Sequence, residues 1–245
     1  MKKMLLATAA TLLCAMAAPA YADSVTVSGS LTSDHCTDGC GPQTGGFGTV
    51  TVVDNGLGTG SNVGTLGFTV NLINGNNFVS GGQDVTFGFN LLNNPTITYT
   101  NLDTTAPVPI WSVVGGNPQS AGSLHADGFG NVEYGVELGG NGNSCGSTGC
   151  PTSLTFSISA PGLDWTDLAQ ASSNGTAVMV ADIFSGTTHN TGFVDLTGAL
   201  TPTQTSAVPG PIVGAGLPGI FAAFAAFWGI GVKRRRKNAM SVAQA

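Results

Sequence analysis

Few side chains in this sequence could do chemistry, and cysteine is the most telling of them. Cys36-x3-Cys40 and Cys145-x4-Cys150 lie in Gly-rich stretches, while Cys14 sits in an apolar N-terminal run. The four downstream cysteines allow three pairings, which sequence alone does not choose between. Short spacing makes Cys36 with Cys40, and Cys145 with Cys150, the first expectation. Such short rings stiffen loops but constrain the unfolded chain only modestly. His35 beside Cys36 raises a zinc site with four sulfurs as the alternative. Structural zinc sites usually show Cys-x2-Cys knuckles and belong to reduced compartments, so disulfides are favoured.

Acid–base chemistry has little to draw on. The three histidines are His35, His125 and His189. A hydrolase needs a nucleophile, a base and an orienting acid together. The sequence holds no Gly-x-Ser-x-Gly elbow, no His-Glu-x-x-His helix and no phosphate-cradling loop. Glu133 and Glu137 are the pair that could act on a glycoside, a reaction that needs two carboxylates. On a strand both would point to one side, where solvation is the ordinary outcome. No catalytic residue is therefore assigned. Calcium is the most reasonable ligand, because hard cations favour carboxylate and carbonyl oxygens. Asp34, Asp38 and the turn from Asp127 to Asn131 could supply them. No Asp-x-Asp-x-Asp-Gly or nonapeptide calcium repeat occurs, so no metal residue and no cofactor are assigned.

Charge excludes one class outright. All seven cations sit at the ends of the chain: Lys2, Lys3, Lys233, Arg234, Arg235, Arg236 and Lys237. All thirteen acids lie between them, from Asp23 to Asp195, so that stretch contains no Lys and no Arg. Gripping nucleic acid phosphates needs clustered Lys and Arg, so no nucleic-acid partner is expected.

The segment between the charged ends reads as all-β. Apolar residues recur with period two at Val25, Val27 and Leu31; at Val50 and Val52; at Phe68, Val70 and Leu72. The same holds at Val85, Phe87, Phe89 and Leu91; at Ile97 and Tyr99; at Leu154, Phe156 and Ile158; and at Val178, Val180 and Ile183. Such alternation argues half-buried strands. Turn signals stand between them at Asp54-Asn55-Gly56, Asn74-Gly75-Asn76, Asn93-Asn94-Pro95, Ala160-Pro161-Gly162 and Ser173-Asn174-Gly175. The pattern predicts an antiparallel β-sandwich over residues 23–200. Only residues 164–171 could make a short helix. Residues 201–211, rich in Pro, Thr and Ser, read as a spacer.

The two ends read as an address. Met-Lys-Lys, an apolar run and Ala20-Tyr21-Ala22 are the parts of a secretory signal peptide over residues 1–22, cut after Ala22. Cys14 could instead carry a lipid, but Leu12-Leu13 precede it without a small residue beside it. Residues 212–232 are apolar and uncharged, long enough to span a bilayer as a transmembrane helix. Lys233-Arg234-Arg235-Arg236-Lys237 opens a basic tail over 233–245, which should stay cytoplasmic.

Val208-Pro209-Gly210-Pro211, an apolar helix and an Arg-rich tail together resemble the sorting signal of PEP-CTERM proteins. In that family an exosortase, a membrane cysteine transpeptidase, is thought to recognise Pro-Glu-Pro and remove the helix during surface delivery. Gly210 stands here in place of the Glu, and Gly214-Ala215-Gly216-Leu217-Pro218-Gly219 follows, similar to a known variant form. The order of segments also resembles secreted outer domains of this family. Ser123 to Asn131, Glu133-Tyr134-Gly135, Leu154-Thr155-Phe156, Val180 to Phe184 and Asn190-Thr191-Gly192 carry that likeness. The resemblance implies an exosortase-type partner, passage through the inner membrane to the cell surface, and a host making exopolysaccharide and biofilm. It implies no biochemical activity.

The expectation is thus an exported, surface-sorted, non-catalytic protein of the envelope or matrix. An adhesion or carbohydrate-binding module is the alternative, and a secreted hydrolase the third. An exposed aromatic row would favour binding, whereas aromatics confined to the core would favour a structural role.

Overall fold

Alternating apolar and hydroxyl residues become strands when one face can be buried against a second layer. The computed structural model describes residues 24–57, 62–79, 85–102, 111–114, 119–139, 150–169, 171–173, 175 and 177–206. These lie within one compact unit, Ala22–Ala207. The predicted signal peptide, transmembrane helix and basic tail lie outside the described residues, as do Val208, Pro209, Gly210 and Pro211. Among the described residues no helix is long and apolar enough to cross a membrane.

The strands run β1 (Ser24–Leu31), β2 (Ser33–Cys36), β3 (Gly48–Leu57), β4 (Val63–Leu72), β5 (Asn77–Phe78), β6 (Phe87–Phe89), β7 (Thr98–Thr100) and β8 (Trp111–Val113). They continue with β9 (Leu124–Ala126), β10 (Gly130–Val132), β11 (Tyr134–Leu138), β12 (Ser153–Pro161), β13 (Ala177–Phe184), β14 (Thr191–Thr197) and β15 (Thr201–Ser206). The described pairings are antiparallel. The first sheet has the order β15-β1-β3-β4-β12-β7, and the second the order β2-β14-β13-β6-β11-β8 with β5 also on β13. The expectation of an all-β antiparallel fold holds. The predicted helical stretch is a 3-10 helix, Trp165–Ala169, whose first N–H is taken by the buried Asp54 carboxylate at 3.1 Å.

The inward faces of the two sheets share one core. Phe68 on β4 and Phe156 on β12 stack at 4.6 Å, and Phe89 on β6 of the other sheet stacks on Phe68 at 5.1 Å. Tyr134 on β11 continues the pile against Phe89 at 5.7 Å. Offset ring contacts of this kind add to the burial of large apolar area. Tyr99, on β7 of the first sheet, donates its buried hydroxyl to the Gly135 carbonyl of the second at 3.2 Å. The chain itself passes between sheets at Thr32, whose N–H donates to the Asp195 carbonyl at 2.9 Å.

Four features depart from the sequence expectation. Thr201–Ser206, expected within the 201–211 spacer, form β15 and pair with β1 from Ser24↔Ser206 to Ser28↔Thr201. Pro202 is tolerated there because an edge strand need not donate on both sides. Asp54-Asn55-Gly56, expected as a turn, is an irregularity inside β3, where the Gly56 N–H donates to the Asp54 carboxylate at 2.7 Å. And β13 is not half-buried: Met179, Ala181 and Ile183 face the shared core while Val180 faces a second cluster. That cluster exists because the β9–β10 hairpin lies over the outer side of the second sheet, bringing Leu124, Ala126, Phe129 and Val132 onto Val180 and Phe193. Val85, expected in phase with Phe87, belongs to the same outer cluster.

Candidate functional site

Cys36 ends β2, and Cys40 returns to it through a tight ring. Asp38 and Gly39 take consecutive left-handed conformations, with φ of 62° and 81°. The Gly39 N–H donates back to the Cys36 carbonyl at 2.9 Å. The two cysteines are disulfide-bonded, with Cα atoms 5.3 Å apart, inside the span a disulfide needs. Cys150 is also disulfide-bonded; its partner lies outside the described residues, as Cys145 does.

The ring is held by a polar network that consumes its own donors. Ser185, fully buried, donates its hydroxyl to the Cys40 carbonyl at 2.8 Å. The side-chain amides of Gln43 and Asn76 bond each other reciprocally at 3.1 and 2.7 Å. The Thr188 hydroxyl and the Asn190 amide both reach the Gly39 carbonyl, at 3.1 and 2.9 Å. Buried polar groups satisfied in this way rigidify a loop.

Two of the histidines lie against aromatic rings. His35, on β2, meets the Phe129 ring edge-on at 6.1 Å under the β9–β10 hairpin. His189, at a positive φ of 64°, stacks on Phe184 at 5.6 Å. His125 is exposed on β9. Among the described residues no three His, Cys, Asp or Glu side chains converge as a metal site would require. Asp34, Asp38 and Asp127 are exposed, and Glu133 and Glu137 are half-buried.

Asp195 was not singled out by the sequence. On β14 it lies beside Ser33 of β2 and Val180 of β13. It is buried, and neither carboxylate oxygen receives a well-formed hydrogen bond. Burial pushes its acid up to about 6, offset in part by the Ser33 hydroxyl and by its own backbone. Period two in Gly192-Phe193-Val194-Asp195 puts Asp195 on the face of Phe193, which was the available signal. Only the covering hairpin turns that face into an interior.

Every Phe, Trp and Tyr from 24 to 206 is buried or half-buried. No exposed aromatic platform exists in that stretch. A groove of about 460 Å³ opens at the first sheet, lined by Ser28, Gly29, Ser30, Thr49, Leu196 and Thr201 among others. Its walls are mainly hydroxyls. The chain matches no protein-family model, no curated protein and no solved structure.

Proposed function

We propose that this is an exported, non-catalytic protein of the cell envelope or extracellular matrix, with a β-sandwich outer domain. Residues 1–22 direct export, and Val208-Pro209-Gly210-Pro211 with residues 212–245 direct sorting and membrane attachment of the PEP-CTERM type. One observation supports the non-catalytic reading above the rest. Most of the cysteines and histidines among the described residues are engaged in structure: Cys36, Cys40 and Cys150 in disulfides, His35 and His189 against aromatic rings. The inward turn of the aromatic residues favours a structural role over sugar binding by ring stacking.

Mass spectrometry of the mature surface protein tests the export and sorting parts together. The expected N-terminus is Asp23, with no free thiol among Cys36, Cys40, Cys145 and Cys150, and with the residues after the sorting motif removed. An acylated Cys14 at the N-terminus would overturn the export reading. A mature form that retains Arg234, Arg235 and Arg236 would make residues 212–232 a permanent anchor and remove the sorting step.

A further inference from the structure

The β9–β10 hairpin belongs to neither large sheet: among the described pairings its two strands have only each other. It crosses the outer side of the second sheet. At one end Val132 lies on Gly88 of β6 and Leu124 on Gly135 of β11, and at the other the tip residue Gly128 lies on the His35 ring of β2. Between those ends run β13 and β14, whose Val180 and Phe193 share a cluster with Ala126 and Phe129 of the hairpin. Backbone ties to the rest are few. The Ser173 N–H donates to the Asn131 carbonyl at 3.0 Å, and the Asn131 N–H to the Ser173 hydroxyl at 2.8 Å. A two-stranded ribbon is marginal by itself. Held down mainly by a small apolar cluster, it is a unit able to open while the sheets stay folded.

Asp195 lies on the side of β14 that the hairpin crosses, two residues from Phe193 and opposite Val180. It is fully buried, and neither carboxylate oxygen has a hydrogen-bond partner. The titratable groups around it bring little relief. From β13 the same face carries Asp182, also buried. From β2 it carries His35, two residues beyond Ser33, the register partner of Asp195. The hairpin brings His125 and Asp127, both exposed, with Glu133 at its base and Glu137 farther along β11. No Lys or Arg occurs between residues 24 and 206. A buried carboxyl in such a place is tolerated as the neutral acid and costly as the anion. Burial accordingly raises this acid to about 6.

We propose that the β9–β10 hairpin is a pH-operated cover, closed while Asp195 carries its proton and opening when Asp195 ionises. Water must reach the anion by some route, and lifting the hairpin is the least costly one. It gives up only the small outer cluster, whereas parting the sheets gives up the shared core with its stacked rings. The closed cover holds the Asp195 proton more tightly than the open one does. Closure is therefore most stable below about pH 4, the ordinary carboxyl range, and weakens as pH rises through about 6. Acid keeps the strip around Phe129, Val180 and Phe193 hidden, and neutral medium uncovers it more often. This device is independent of export and sorting, and each can fail while the other stands.

Hydrogen exchange of the full chain in mild detergent, read by peptide mass spectrometry, tests the cover. Rates are corrected for the intrinsic pH dependence of amide exchange. At every pH the amides of β9 and β10 should exchange faster than those of β4 and β12. Their opening constant should rise by about tenfold or more from pH 4 to pH 7.5. Asp195→Asn cannot ionise and should hold the acid value throughout, whereas His35→Gln should keep the pH response. A response that His35→Gln abolishes and Asp195→Asn retains would make the imidazole the sensor and overturn the proposal. Hairpin amides that exchange only in step with β4 and β12 would also overturn it, because the cover would then open only with the whole fold. So would a wild-type opening constant that stays flat across the range. Thermal unfolding at pH 4 shows that each variant is folded, and the wild-type profile decides the last two outcomes without any variant.

Discussion

The two sheets present opposite outer faces, although both begin from strands that alternate. In the first sheet, β4 and β12 keep every second residue inside and leave mostly Thr, Ser or Gly outside, with Val63, Asn71 and Pro161 besides. In the second, β13 is buried along nearly its whole length, because the β9–β10 hairpin supplies a cover. The outer side of that sheet thus holds a small second core, and within it a carboxylate without a cation to meet. Cover, rather than pattern, decides whether a polar residue on a strand is a surface group or a buried one.

The largest expected effect lies in the core that both sheets share. Phe156→Ala should cost about 3–5 kcal/mol in urea unfolding, since its ring stacks on Phe68 and also meets Phe87 and Phe89. A cost near zero would mean that the sheets do not pack through this pile.

Next comes the cover. Gly128 has φ of +80°, and a Cβ there would run into the His35 ring. Gly128→Ala should therefore destabilise by about 2 kcal/mol, through strain and crowding together. Adding His35→Ala should recover the crowding part but not the strain, which a double-mutant cycle reads directly. Strict additivity would show that the hairpin does not rest on His35.

The buried carboxylate sharpens the contrast through pH. The Asp195 acid is raised to about 6 by burial, above its unfolded value. Its contribution to stability is therefore fully present below about pH 4 and lost as pH rises through about 6. Asp195→Asn imitates the protonated acid. At pH 8 it should stabilise the protein by on the order of 2 kcal/mol, and at pH 4 it should change little. Equal stability of variant and wild type at both pH values would show that Asp195 finds a partner when ionised.

The smallest effect belongs to the open face. Thr65→Val should shift stability by less than about 0.5 kcal/mol, because the residue is only half-buried on the outer face. A large loss there would erase the difference between the two outer faces.

Much of the first sheet was legible in sequence. Val27, Leu31, Val50, Val52, Phe68, Val70, Leu154, Phe156 and Ile158 are inward where the alternation placed them. Asn74-Gly75 turns with positive φ at both residues. The Cys36–Cys40 ring was the first expectation from spacing among three possible pairings, and the structure forms it. What escaped the reading depends on partners distant in sequence. Thr201–Ser206 carry no apolar signal, and only β1 makes them a strand. Val180 and Asp195 look like ordinary strand positions until the hairpin covers them. Composition reports what a segment can bury, but not what will lie upon it.

The pairing Ser24↔Ser206 has a consequence in time. A chain synthesised from its N-terminus makes β1 first and the strand that guards its outer edge last. Until Thr201–Ser206 arrive, the open backbone edge of Ser24–Leu31 is a template for any other strand in reach. The contact also spans nearly the whole folded segment, and loops of that length close slowly. The last six residues of the sheet are therefore its seal, and a chain ending at Leu200 should fold into a species that pairs with copies of itself.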